Sequence, residues 1–153
     1  MKKLAMLIAA AAIAGASAIA FAGTPIKATA LPKAAQTFIA KHFPGDTVRK
    51  AEKDNGRRGT EYEVDLASGA EIDFRDNGDW KDVKAARGKA VPAAIVPAAI
   101  AKHVAGNYPG QVITEISRKR GGYEVELANG TKLKLTEDAK PMPARQGNGN
   151  RRH

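Results

Sequence analysis

Carboxylate side chains recur at every second position in two neighbouring segments, residues 61–65 and 71–73. If both segments are β-strands, each series points to one face of a sheet, because successive side chains in a strand point to opposite faces. Carboxylates gathered on one face can bind a basic segment of a protein or a metal cation. The sequence therefore predicts an acidic partner-binding surface formed by Glu61, Glu63, Asp65, Glu71 and Asp73.

Trp80 is a sixth candidate for this partner-binding site. It is the only tryptophan of the chain, and tryptophan is enriched among the residues that dominate binding energy at protein interfaces. Its place beside the turn at residues 76–79 fits equally well a residue that covers the edge of a hydrophobic core.

Catalytic and metal-binding patterns are not found in the sequence. The three histidines are widely separated, and no histidine pair or carboxylate cluster has a spacing typical of a zinc site. A calcium-binding loop at residues 73–84 would place Arg75 and Lys84 at positions that need oxygen ligands. Cysteine is absent, which excludes disulfides and thiolate chemistry. We therefore predict no catalytic residue, no cofactor and no metal ligand, and we do not expect an enzyme.

The first 22 residues have the pattern of a secretory signal peptide. Lys2 and Lys3 precede an alanine-rich apolar stretch, and Ala20 and Ala22 form a small-x-small cleavage site. A retained membrane anchor is the less favoured alternative, because the apolar stretch is interrupted and no stop-transfer charges follow closely. We expect a periplasmic or secreted protein that makes no stable membrane insertion after cleavage.

The formal net charge is +9, from 25 basic and 16 acidic residues. The basic residues are scattered along the chain rather than arranged in a stripe, as a nucleic-acid-binding surface would require. Export would also separate the protein from nucleic acid. We therefore predict no nucleic-acid partner.

Two nearly identical octapeptides, YEVDLASG and YEVELANG, occupy residues 62–69 and 123–130. Upstream of each lies a Pro-Gly pair, and the two pairs align as well. The chain is therefore predicted to contain two tandem repeats, which pack together because one repeat alone is too small to bury an adequate core. The predicted organisation is a signal peptide at 1–22, an N-terminal linker at 23–30, repeats at 31–84 and 96–140, a linker at 85–95 and a disordered basic tail at 141–153.

Each repeat is predicted to be a helix packed on a small antiparallel β-meander, which gives an α+β fold. After a proline in each repeat, apolar residues recur at every fourth position, as on one face of a helix. The Pro-Gly pair ends that helix. Strands follow near residues 47–53 and 111–117, and the octapeptides then alternate apolar and charged residues before a three-residue hairpin loop.

These hairpin loops determine which charged residues lie opposite each other. The predicted pairs are Glu63 with Asp73, Asp65 with Glu71, Glu124 with Lys134, and Glu126 with Lys132. Opposite charges across strands stabilise by about 0.2–1 kcal/mol per pair, whereas like charges destabilise. The first repeat therefore gives up stability on this face, unless Arg49, Lys50 or Lys53 on the neighbouring strand neutralises it.

The order of these motifs resembles the PepSY-like family of small exported bacterial proteins, also described as β-lactamase-inhibitor-like. The matching motifs are LP, FPG, YEVDL-x-x-G, I-x-F-x-x-x-G-x-W, VPAAI and YPG, which span about residues 31–136. The resemblance implies a tandem helix-on-sheet fold like that of the β-lactamase inhibitor protein, whose sheet face grips an enzyme. It transfers no functional residues, because the matched positions lie in turns and in the core.

We therefore expect a non-enzymatic periplasmic module that binds a protein or peptide of the cell envelope. A role in regulating or inhibiting an envelope enzyme would fit the resemblance. The alternative is a cation-binding envelope protein that uses the acidic face of the first repeat. The sequence identifies neither the partner nor the oligomeric state.

Overall fold

The computed structural model describes residues 23–143. The predicted signal peptide and residues 144–153 of the predicted tail lie outside the described residues. The helices are α1 (Lys33–His42) and α2 (Ala98–Asn107). The strands are β1 (Thr24–Pro25), β2 (Val48–Gly56), β3 (Gly59–Leu66), β4 (Glu71–Arg75), β5 (Trp80–Lys84), β6 (Ile113–Lys119), β7 (Gly122–Leu127) and β8 (Lys132–Leu135).

The eight strands form one antiparallel sheet in which the order of strands is their order along the chain, from β1 to β8. Helix α1 connects β1 to β2, and α2 connects β5 to β6. The predicted α+β class is confirmed. No helix within residues 23–143 is long and apolar enough to cross a membrane.

Each helix contributes a narrow apolar face to the core. In α1 the buried residues are Ala35 and Ile39, and in α2 they are Ile100 and Val104. Both pairs have the spacing of four that places side chains on one helix face. Each helix is followed by a Pro-Gly pair whose glycine has a left-handed φ of 78° or 79°, a conformation that glycine adopts without steric cost.

One continuous core lies between the helices and the sheet. In β3 the buried side chains are Tyr62, Val64 and Leu66, which alternate with charged ones. The same cluster contains residues of both helices and of the strands from β2 to β8. The opposite side of the sheet carries the charged residues of the strands and is called here the outer face.

The cross-strand register predicted from the hairpin loops is confirmed. Glu63 lies opposite Asp73 and Asp65 opposite Glu71, and the four charged residues predicted to pair in the second half do so in β7 and β8. Strand β2 extends beyond its predicted end near residue 53. Its ladder with β3 continues to Gly56, because a turn of only two residues suffices to connect the strands.

Candidate functional site

Four carboxylates lie side by side across the outer face. In the register of the sheet, Glu52 of β2 lies opposite Glu63, Glu63 opposite Asp73, and Asp73 opposite Asp82 of β5. We call these four residues the acidic row. Adjacent strands are about 4.8 Å apart, so like charges follow one another at close range. Such pairs are destabilising unless a cation lies near them.

Three of the five predicted carboxylates have intramolecular cationic partners. Glu61 is 2.7 Å from Lys81 Nζ, Asp65 is 3.4 Å from Arg49 Nη2, and Glu71 is 3.4 Å from Lys84 Nζ. Arg49, on the neighbouring strand β2, therefore neutralises Asp65.

Glu63 and Asp73 form no ion pair with any of residues 23–143. At the two ends of the acidic row, Glu52 is 3.1 Å from Lys50 Nζ, and Asp82 accepts a hydrogen bond from the Ser117 hydroxyl. Glu63 and Asp73 therefore form a pair of neighbouring like charges in the middle of the row that no ion pair within residues 23–143 compensates.

The surroundings of Asp73 make its ionisation unfavourable. Burial, followed by the charges of Asp82 and Glu63, raises the pKa of Asp73 to about 7. Burial also raises the pKa of Glu63 above its ordinary value, despite the opposing effect of Lys50. A nearby cation would remove this penalty, because an opposite charge favours the ionised form of a carboxyl group.

A shallow cavity of about 60 Å³ lies beside the acidic row. Its walls include Glu52, Glu63, Asp73 and Tyr62, and also Gly23 at the start of the described chain. Gly23 approaches β2 so closely that a Cβ atom would lie 3.1 Å from the Cβ of Glu52. A basic side chain that reached this cavity would meet several carboxylates at once.

Trp80 does not belong to the acidic surface. It lies on the helix side of the sheet, it is only 6% exposed, and its ring centroid is 6.3 Å from those of Phe38 and Tyr123. The guanidinium carbon of Arg118 lies 4.2 Å from the centre of the indole ring. Of its two interpretations, the structure supports a residue at the core rather than a partner-facing anchor, because the β-bulge at Lys81 places Trp80 opposite Phe74, on the same face as Val83.

The outer face of the second half is compensated on β7 and β8. Lys132 Nζ is 3.2 Å from Glu126, and Lys134 Nζ is 3.5 Å from Glu124. These are the pairs that the sequence predicts. Exposed pairs of this kind are individually weak. Glu115 of β6 lies opposite Glu126 and forms no ion pair with any of residues 23–143.

No group of three or more histidine, cysteine or carboxylate side chains within residues 23–143 is arranged to hold a metal ion. His42 ends α1 with its ring 4.5 Å from that of Phe38, and burial together with Lys41 lowers its pKa. His103 contacts Asn107 in α2. The acidic row itself extends across four strands rather than converging on one point.

Sequence reasoning missed two members of the acidic row, Glu52 and Asp82. Glu52 could have been predicted, because Lys50, Glu52 and Asp54 lie at every second position of β2 and therefore on one face of the sheet. Asp82 could not be placed from its spacing, because a β-bulge between β4 and β5 inserts Lys81 and shifts the register.

Comparison with protein families matches residues 19–67 and 60–140 to the family described as "Putative beta-lactamase-inhibitor-like, PepSY-like". Among solved structures, a "putative periplasmic protein" of the DUF2874 family from Bacteroides vulgatus is 36% identical, with a TM-score of 0.74. The alignment covers 81% of this chain and 97% of that one.

Two further solved structures are similar. A "putative calcium-regulated periplasmic protein" from Bacteroides thetaiotaomicron is 36% identical, with a TM-score of 0.73 over 78% of this chain and 94% of that one. A second Bacteroides vulgatus protein, a "putative periplasmic protein of unknown function", is 32% identical, with a TM-score of 0.72 over 76% and 93%. No curated protein shows a significant match.

Proposed function

The chain belongs to the PepSY-like family, and from this premise we propose that it is a non-enzymatic periplasmic module that binds a basic segment of a protein or peptide through the acidic row. The observation that carries the proposal is the in-register line of like charges at Glu63 and Asp73, for which residues 23–143 provide no cationic partner. Like charges directly opposite each other lower the stability of the folded protein, and a cationic group of a partner would restore that stability.

The extent of the acidic row across four strands supports a macromolecular partner. Both helices within residues 23–143 pack on the core side of the sheet. A basic segment lying across the outer face from β2 to β5 would meet Glu52, Glu63, Asp73 and Asp82 in succession. The ion pairs around the row, such as Lys81 with Glu61, would form a polar rim. The inhibitor-like description of the family supports an envelope enzyme as the partner, which binding would regulate or inhibit.

The periplasmic location and the tandem repeat are part of the same proposal. The similar solved structures are described as periplasmic proteins, and residues 1–22 have the pattern of a signal peptide.

The repeat is supported by backbone features at a constant offset of 61 residues. Leu66 and Leu127 donate to the carbonyls of Ala70 and Thr131, and Gly69 and Gly130 have similar positive φ angles of 94° and 86°.

The test uses a chain that starts at Gly23 and a variant with Glu63→Gln and Asp73→Asn. These substitutions remove two charges with almost no change in shape. The matched control carries Glu124→Gln and Glu126→Gln, which removes two ion-paired charges from the same face of the second half. The free amino group of Gly23 is retained because Gly23 lines the acidic cavity.

Each protein is used as bait for a periplasmic extract, and any captured protein is then purified and titrated against all three baits. We expect the unmodified chain and the control to bind the partner in a salt-sensitive manner, and the Glu63/Asp73 variant to lose it. Equal binding by all three baits would contradict the proposal. Misfolding is excluded as a cause of lost binding if the variant melts at or above the temperature of the unmodified chain.

A cation is the second candidate ligand. One similar structure is described as calcium-regulated, and the acidic row offers oxygen donors. Calcium normally needs six to eight oxygen ligands around one point, and the four row carboxylates are spread across four strands. A rise in the melting temperature with millimolar Ca²⁺, lost in the Glu63/Asp73 variant, would favour this function over peptide binding.

A further inference from the structure

A second charged cleft lies at one end of the sheet, near the junction of its two halves. The ladder between β5 and β6 pairs only Asp82–Lys84 with Glu115–Ser117, so it ends before Trp80 and Arg118. At this end an open cleft of about 380 Å³ is lined by residues from β4, β6, β7 and the segment after β8. Its size is within the range of small-molecule sites.

The lining of this cleft is predominantly cationic. Arg75, Arg118 and Lys119 contribute three positive charges, and Glu137 contributes one negative charge. None of these four side chains forms an ion pair with another of residues 23–143. Three cations and one anion therefore line this space, which leaves an excess of positive charge.

Arg118 is held in a fixed position with an unsatisfied donor. Its guanidinium lies over the indole ring of Trp80 at 4.2 Å, which is within the range of a cation–π contact. Its Nε atom is buried and has no hydrogen-bond partner among residues 23–143. A buried donor without a partner is unfavourable. Because Nε is closed to solvent, a ligand in the cleft would be bound by the Nη–H groups at the end of the guanidinium, which can contact a carboxylate or phosphate in a bidentate manner.

We propose that this cleft is a binding site for a small oxyanion, either a carboxylate or a phosphate group, with Arg118 as the main ligand-binding residue. Arg118 is stacked and therefore loses little conformational freedom on binding. Arg75 and Lys119 add positive charge, whereas Glu137 opposes the ligand. None of the acidic-row residues lines this cleft, so the proposal does not depend on the function proposed above.

The experiment titrates the unmodified chain with sodium succinate and, separately, with inorganic phosphate, against sodium chloride at equal ionic strength. Two readouts are followed. The first is the fluorescence of Trp80, which is the only tryptophan and touches Arg118. The second is the amide NMR signals of Gly121 and Gly122, which line the cleft and remain observable when Arg118 is replaced.

We expect a saturable response to succinate or to phosphate and none to chloride. Arg118→Gln should weaken binding by about tenfold or more, since a hydrogen bond to a charged group is worth about 1.5–3 kcal/mol. Glu137→Gln should tighten it by about threefold, the effect of one like charge roughly 6 Å away in water. Arg120→Gln is the matched control, because Arg120 lies in the turn that follows β6 but does not line the cleft.

The absence of a saturable response to both oxyanions would overturn the proposal. So would a response that Arg118→Gln leaves unchanged, or one that Arg120→Gln reduces as much as Arg118→Gln does. If Arg118→Gln unfolds the protein, Arg75→Gln and Glu137→Gln still decide the matter, because they must change affinity in opposite directions.

Discussion

Replacing Asp73 by Asn should stabilise the protein, and the gain should increase with pH. The pKa of Asp73 is raised from 3.8 to about 7, first by burial and then by Asp82 and Glu63. Between these two pH values the folded state keeps a proton that the unfolded state has lost. Stability therefore falls as pH rises through this window, which is the reverse of the usual behaviour of an aspartate. Asparagine carries no such penalty.

The magnitude follows from the size of the shift. Each pKa unit corresponds to about 1.4 kcal/mol, so a shift of this size corresponds to an upper limit of roughly 4 kcal/mol. Asp73 is only partly buried, and in a chain that starts at Gly23 the amino group beside the cavity adds a screening cation. We therefore expect Asp73→Asn to raise the free energy of unfolding by about 2 kcal/mol at pH 8. At pH 3, where both states are protonated, the two proteins should differ little.

The assay is urea denaturation of the unmodified chain and the variant between pH 3 and pH 8. Glu71→Gln is the matched control, because Glu71 lies on the same strand and face but has Lys84 as a partner. Loss of this exposed pair should change the free energy of unfolding by at most about 0.5 kcal/mol. An Asp73→Asn variant that is no more stable than the unmodified chain at pH 8, or that gains equally at pH 3 and pH 8, would refute the reasoning.

Three further predictions concern the backbone and the N-terminus. Ala139 has a φ of 61° where the equivalent position of the first half is Gly78, so Ala139→Gly should stabilise by about 0.5 kcal/mol in urea denaturation. Gly78→Ala should instead destabilise by about 2 kcal/mol or more, because its Cβ would lie 2.9 Å from the Cβ of Ala34; equal effects of the two changes would contradict this account. Gly122→Ala would place a Cβ 2.2 Å from the carbonyl oxygen of Leu135 and should lower the melting temperature strongly, whereas Gly56→Ala, whose Cβ would have 4.0 Å of space, should change it little. Acetylation of a chain that starts at Gly23 removes the charge of an amino group beside five carboxylates and should destabilise by about 0.5–1 kcal/mol at pH 6, a loss that should become smaller when Glu63 and Asp73 are neutralised.

Local rules were sufficient to predict the helices and strands and the pairing of residues within each hairpin. Alternation along YEVDL predicts which side chains of β3 are buried, and a three-residue loop ending in glycine predicts that Glu63 lies opposite Asp73. Both depend only on the two-residue period of a strand and on the geometry of a short loop. The same rules predict the ion pairs of the second half, because Glu124 and Lys134 are neighbours through one hairpin.

Relations between elements that are distant in the sequence were decided by the tertiary structure. Asp82 completes the acidic row only because a bulge at Lys81 resets the register, and Glu61 is neutralised by that same Lys81 from 20 residues away. Trp80 is buried because Phe38 and Tyr123, from both halves, meet over it. The sequence therefore determined the helices, the hairpins and the face on which the charged residues of β3 and β7 lie, since these depend on local order. Which charges remain unpaired depends on distances between strands and on the packing of two halves, and these exist only in the folded chain.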